Sequence, residues 1–189
     1  MERFNFNIDS DSTISQLFKE KGLTDFTGAC NYIKSLSYKR NQNKYDPVTV
    51  IKDQYGTCST KHALLCELAI ENKMNNVKLI LGVFRMNKKN TPQVTGILKK
   101  YNLDHIPEAH NYLSINNQRI DCTMTDFDVD NFSSDLISEI EILPRQITDF
   151  KVTYHKQLLQ KWLTENPEIT LSLEEIWKIR EECIEALVA

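Results

Sequence analysis

Three residues of the chain are of types, and in places, that could act as one chemical unit: Cys58, His110 and Asp121. A cysteine attacks as its thiolate, and a helix N-terminus favours that anion through unpaired N–H groups and the helix dipole. Cys58 stands at such a start. Gly56 and Thr57 precede it, and Ser59 to Asn72 are apolar almost all round, the pattern of a helix buried at the centre of a domain. Gly56 is expected to let the backbone turn and a substrate come close. The other two residues lie far along the chain, in two short β-like runs around Asn116 and Asn117, a pair that tolerates positive φ and predicts a hairpin. With that pair as the turn, Ile115 faces Gln118, Tyr112 faces Asp121 and His110 faces Thr123. His110 and Asp121 then share a sheet face as diagonal neighbours within hydrogen-bonding reach. Leu113, Ile115, Ile120 and Cys122 take the opposite, apolar face, and a one-residue slip would invert both. A nucleophile, a base and a carboxylate that orients the base are the parts of covalent acyl transfer.

The elements that must hold these residues follow from periodicity. Ile14, Leu17 and Phe18 have helical spacing before Gly22, and a second helix capped by Thr24 carries Phe26, Ala29, Cys30, Ile33 and Leu36 near one face. The polar stretch from Lys39 to Asp46 reads as a surface loop. After the central helix, Val77 to Met86 reads as a well-covered strand, and residues 87–107 as an excursion with some local structure. Two further helices, separated at Asn166 and Pro167, close the chain, and Ser172 with Glu175 forms a capping-box start for the last one.

Gly56, Thr57, Cys58 and Ser59 ahead of an apolar helix, then a strand, then His110 in one strand and Ile120 to Thr123 in its partner, resemble the core of the transglutaminase-like superfamily. The helix from Ala29 to Tyr38 is similar to the one that precedes that core, so the resemblance runs from about Thr24 to Thr123. It implies an α+β fold: a papain-like core in which a central buried helix packs on an antiparallel sheet, flanked by N- and C-terminal helices. It also implies a Cys-His-Asp triad with Cys58 as nucleophile, His110 as general base and acid, and Asp121 as the orienting carboxylate. The backbone N–H of Cys58 would be one donor to an oxyanion. A side-chain donor from just upstream is implied as well, for which Gln54 is the first choice and Tyr55 the second, with another upstream residue as the remaining alternative. The chain departs from the pattern in its short spacing between His110 and Asp121, and in Asn111 where an aromatic residue often follows the histidine.

A length of 189 residues fits a single domain, with the core over about 24–145 and a helical segment over about 150–189. The 41% hydrophobic and 26% charged residues are ordinary globular usage, and a net charge of −3 without long charged runs points to neither nucleic acid nor a membrane surface as a partner. No segment approaches the ~20 apolar residues of a membrane span, and the first residues lack a secretory pattern, so a cytoplasmic location is the expectation. Five widely spaced cysteines, odd in number and with no Cys-x-x-Cys pair, read as free thiols.

His62 and Cys66 follow Cys58 at one-turn intervals, but a collinear stripe lacks a fourth ligand and the tetrahedral wrapping zinc requires; His62 reads as a partly buried neighbour that tunes Cys58, or as simple packing. No cofactor is called for. His105 and His155 are expected at the surface, and Arg180 as a snorkelling side chain with a buried ion pair as the alternative. The leading reading is attack on an amide of a protein or peptide substrate, ending in hydrolysis, deamidation or amine transfer, with hydrolysis favoured. A non-catalytic interaction module on the same fold is the alternative from another class. A third reading, acyl transfer from a thioester donor as in arylamine acetyltransferases, lacks a phosphate site, because the Lys88-Lys89 and Lys99-Lys100 pairs read as solvated charge.

Overall fold

The computed structural model describes residues 4–125, 127 and 129–187. Helix α1 (Thr13–Glu20) starts on a carboxylate from elsewhere in the chain: Glu71 accepts from the backbone N–H groups of Ile14 and Ser15 at 3.0 and 2.7 Å. An anion at a helix start meets the unpaired N–H groups and the positive end of the dipole. Helix α2 (Phe26–Ser35) is capped by Asp25, whose Oδ1 accepts from the Gly28 N–H at 2.8 Å. The expected cap, Thr24, lies one residue too early, and its carbonyl pairs with Ile8 instead. Strand β1 (Ser37–Tyr38) runs parallel to β2 (Tyr55–Gly56), with the short helix α3 (Thr49–Asp53) between them, and places Tyr38 opposite Gly56.

Helix α4 (Cys58–Glu71) begins with a capping box in which Thr57 and Thr60 satisfy each other's backbone N–H groups. It is buried over most of its length, as its sequence requires. Its packing explains Gly56 differently from the sequence expectation: a Cβ there would stand 3.0 Å from each of Val50 Cγ2, Thr60 Oγ1 and Lys61 Cγ. Gly56 therefore makes room for the first turn of α4 rather than for a substrate.

Strand β3 (Val77–Asn87) is followed by a 3₁₀ turn (Pro92–Val94), helix α5 (Thr95–Lys100) and strand β4 (His105–Ile115). The excursion over 87–107 is thus mostly structured, and His105 opens a strand instead of sitting in a loop. Strand β5 (Gln118–Ile120) closes the hairpin in the expected register, Ile115 opposite Gln118, with φ of 50° and 64° at Asn116 and Asn117. Helix α6 (Asp130–Ser133) and strand β6 (Leu136–Ile142) come next; β6 is absent from the sequence expectations although its alternation is regular. The antiparallel sheet has the order β5-β4-β3-β6. Helices α7 (Asp149–Glu165) and α8 (Leu173–Glu185) follow, the latter with the expected Ser172–Glu175 capping box.

The fold is α+β, with buried apolar residues in two clusters. Leu79, Leu81, Leu113 and Ile115 join the cluster around α4, whereas Phe84, Met86 and Tyr112 join Leu159, Ile176 and Ile179 of α7 and α8. Across the sheet, Glu139 of β6 accepts from Tyr112 Oη at 2.5 Å and from Arg119 at 2.8 and 2.6 Å, tying the β5 edge down. Among the described residues, no helix is long and apolar enough to cross a membrane. The crowding at Gly56 makes a clear prediction: Gly56→Ala loses about 1–3 kcal/mol of stability through overpacking, read as a lowered urea midpoint at unchanged m-value.

Candidate active site

Cys58 is the first residue of α4, so its backbone N–H has no intrahelical acceptor and its thiol lies at the positive end of the dipole. The helix start is fixed from inside the fold. His62, one turn on, is fully buried, with Nδ1 2.7 Å from the Cys58 carbonyl and Nε2 accepting from the Cys122 N–H at 2.7 Å. Both ring nitrogens are thereby occupied by backbone, which sets the neutral tautomer with the proton on Nδ1. Lys61, also buried, donates to the carbonyls of Leu36 at 2.5 Å and Thr123 at 2.7 Å. These two side chains clamp the start of α4 to the segment that carries Asp121.

The structure brings His110 and Asp121 together, although the expected pairing of Tyr112 with Asp121 and of His110 with Thr123 is not formed: the ladder ends at Leu113 opposite Ile120, and Asp121 lies just past β5. Nε2 of His110 lies 2.5 Å from Asp121 Oδ2, and Asp121 Oδ1 accepts from the Thr123 N–H at 2.7 Å. Rings of Phe84, Phe127, Phe132 and Tyr112 lie around the imidazole, with centroids 5.2–6.3 Å away. With Nε2 taken by the carboxylate, Nδ1 is the nitrogen left for the hydrogen bond between His110 and the Cys58 thiol.

The sequence expectations missed a fourth member. Lys151, on the first turn of α7, buries its ammonium 3.8 Å from Cys58 Sγ and 2.8 Å from both Ser59 Oγ and Asn111 Oδ1. Asn111 and Ser59 are thus the acceptors that fix this lysine. Burial opposes ionisation of the thiol, but the charges of Lys151 and His110, the hydrogen bond from His110 and the backbone N–H of Asn111 outweigh it and bring Cys58 to about 5. Burial likewise opposes protonation of His110, but the charges of Asp121 and Cys58 raise it to about 10. For Asp121 the cation of His110 overcomes burial and holds the carboxyl well below its ordinary range. Burial pulls Lys151 downward while the Cys58 and Glu108 charges hold it up.

Gln54 is not part of this group. It has a left-handed backbone (φ 60°), an exposed side chain, and an amide engaged by the Tyr32 hydroxyl and the Ile51 carbonyl. Tyr38 lies nearer the chemistry. Opposite Gly56 in the parallel pair, it lines both clefts that open on Cys58, and no described residue hydrogen-bonds its hydroxyl. Burial and the Cys58 charge push its phenol well above the usual value, so it stays protonated.

One of these clefts, of about 300 Å³, passes Lys151 towards α7 and α8; the other, of about 490 Å³, passes His110 between Met86, Pro92 and Phe127. Glu108 lines both and is held by Arg180 through two hydrogen bonds of 2.7 and 2.6 Å. Arg180 is therefore paired and largely buried, not snorkelling. His155 is buried too, donating from Nε2 to the Pro107 carbonyl at 2.8 Å, where surface exposure was expected. It lies within α7 on the side that packs against β4.

The arrangement predicts a thiolate–imidazolium pair from about pH 5 to about pH 10. Alkylation of Cys58 by iodoacetamide, followed by mass spectrometry, is expected to rise through pH 5 and then stay level across neutrality. In Lys151→Met the loss of a cation moves that midpoint upward, by on the order of one to three pH units. No family model, curated protein or solved structure matches the chain.

Proposed function

We propose that this protein is a cysteine-dependent acyl-transfer enzyme acting on amide bonds, with hydrolysis as the favoured outcome, on a transglutaminase-like fold with a papain-like core. The observation that carries the reading is the bond between His110 Nε2 and Asp121 Oδ2, which leaves Nδ1 for a thiol already acidified at a helix start. A structural histidine has no need of that order, whereas an acid–base catalyst does.

The chemistry then runs as follows. Sγ of Cys58 adds to the amide carbonyl carbon, and the π electrons of the C=O bond move to its oxygen. The Cys58 N–H stabilises that oxyanion, and Tyr38 Oη is the side-chain donor we assign in place of Gln54. His110 gives its Nδ1 proton to the amide nitrogen, the C–N bond breaks, and a thioester remains on Cys58. Water adds to the thioester while Nδ1 takes its proton, and the acid leaves with the thiolate restored. An amine in place of water gives transfer instead. Asp121 stays ionised throughout and holds the ring.

The test uses 4-nitrophenyl acetate, a small activated acyl donor. Wild type is expected to release a burst of about one equivalent of nitrophenolate and to carry an acetyl group on Cys58. Nitrophenolate release that is equal in Cys58→Ala overturns the reading and leaves a binding module. His110→Ala is expected to slow acylation about 10²–10⁴-fold. Tyr38→Phe is expected to slow it about 10²-fold while leaving the iodoacetamide rate and its pH profile unchanged, the separation that distinguishes an oxyanion donor from a group that sets the thiol.

A further inference from the structure

His110 lines one of the two clefts that open on Cys58, the one of about 490 Å³, and that position divides a substrate between them. The proton for the leaving nitrogen comes from His110 Nδ1, so the amine half of the scissile bond lies in this cleft and the acyl half in the other. The inner lining is apolar: Phe84, Met86 and Ile184 are buried, and Met124, Phe127 and Leu187 are half-buried. Most of its buried polar groups are already bonded within the protein. Asn90 holds the Asn87 N–H, the Arg85 carbonyl and Asp135, the Thr91 hydroxyl donates to Asn90, and Glu108 is paired with Arg180. Thr123 keeps a buried hydroxyl without a partner. The polar side chains of Lys89, Gln93 and Asn131 belong to exposed residues and form the rim.

We infer that the residue on the amine side of the scissile bond carries a large apolar side chain, of the leucine or phenylalanine kind, and that this cleft is its binding site. The inference rests on the acyl-transfer reading and extends it to a substrate class. An apolar side chain seated here takes its own surface and that of the lining out of water together. A charged side chain gains nothing comparable. It would leave water for a hydrocarbon wall whose one carboxylate is already paired, and it would meet Lys89 only at the exposed rim, where an ion pair contributes little. The place of the cleft makes the burial serve the reaction. A side chain held beside the imidazole brings its own nitrogen to the atom that delivers the proton, so binding and orientation are one event.

Transfer to an added amine tests this, because an acceptor amine occupies the place that the leaving amine vacates. Cys58 acetylated by 4-nitrophenyl acetate is offered leucinamide, glycinamide or isoglutamine, the α-amide of glutamate, at a single pH. The amine nitrogen adds to the thioester carbon, Nδ1 of His110 takes its proton, and the C–S bond breaks with its electron pair returning to Sγ. The N-acetyl amide is then quantified by mass spectrometry. Leucinamide is expected to divert half of the acetyl groups at a concentration at least about tenfold below that of either other amine. In Leu187→Asn and in Met86→Gln that preference is expected to fall about three- to fivefold, with the nitrophenolate burst unchanged. Equal use of leucinamide and glycinamide, a preference for isoglutamine, hydrolysis with no diversion to any amine, or a preference untouched in both variants overturns the inference. Failure of the underlying reading is distinct: no acetyl group then forms on Cys58, and the inference falls with it.

Discussion

A buried cluster of charge sets the terms for the rest of this molecule: the Cys58 thiol between Lys151 and His110, with Asp121 behind the imidazole. Each group alone would be expensive to bury in ionised form, and each is stabilised by the next. Lys151 has Ser59, Asn111 and the thiol, while Asp121 has His110 and the Thr123 N–H. The arrangement requires that the start of α4, the β4–β5 hairpin and the first turn of α7 meet at one point.

The fold is built to make that meeting rigid. Thr57 and Thr60 close the first turn of α4, Gly56 lets that turn pack against α3, and His62 ties the Cys58 carbonyl to the backbone one residue beyond Asp121. Lys61 does the same for Thr123. On the far side, Gly82 leaves space that any Cβ would close, since the Tyr112 ring would then lie 2.8 Å away; that ring flanks His110 and reaches Glu139 on β6. Backbone contacts of this kind resist small displacements, so the side chains around Cys58 are held in fixed positions.

Polar groups further out extend the same logic. The Arg180–Glu108 pair joins α8 to β4 where the two clefts meet, so the C-terminal helices form part of the cleft walls as well as covering the second apolar cluster. His155, bonded to the Pro107 carbonyl, fixes α7 against the same strand and so fixes the lysine one turn earlier.

The sequence alone determined what depends on near neighbours. The buried helix behind Cys58 follows from its all-round apolar pattern, and the shared face of His110 and Asp121 follows from a two-residue turn and the period of a strand. The capping box at Ser172 is local in the same way. Tertiary structure decided what depends on distant groups. Lys151 lies 93 residues from Cys58, and nothing in the amphipathic run around it marks that lysine as buried. Tyr38 gains its place from a two-residue parallel pair too short to show in periodicity, and Gln54 lost its expected role because the left-handed turn at its own position directs it to Tyr32 and Ile51. Periodicity reports which face of an element is apolar; which charged side chain is brought to that face by packing is settled only when the layers close, because the cost of burying it depends on partners that the local sequence does not contain.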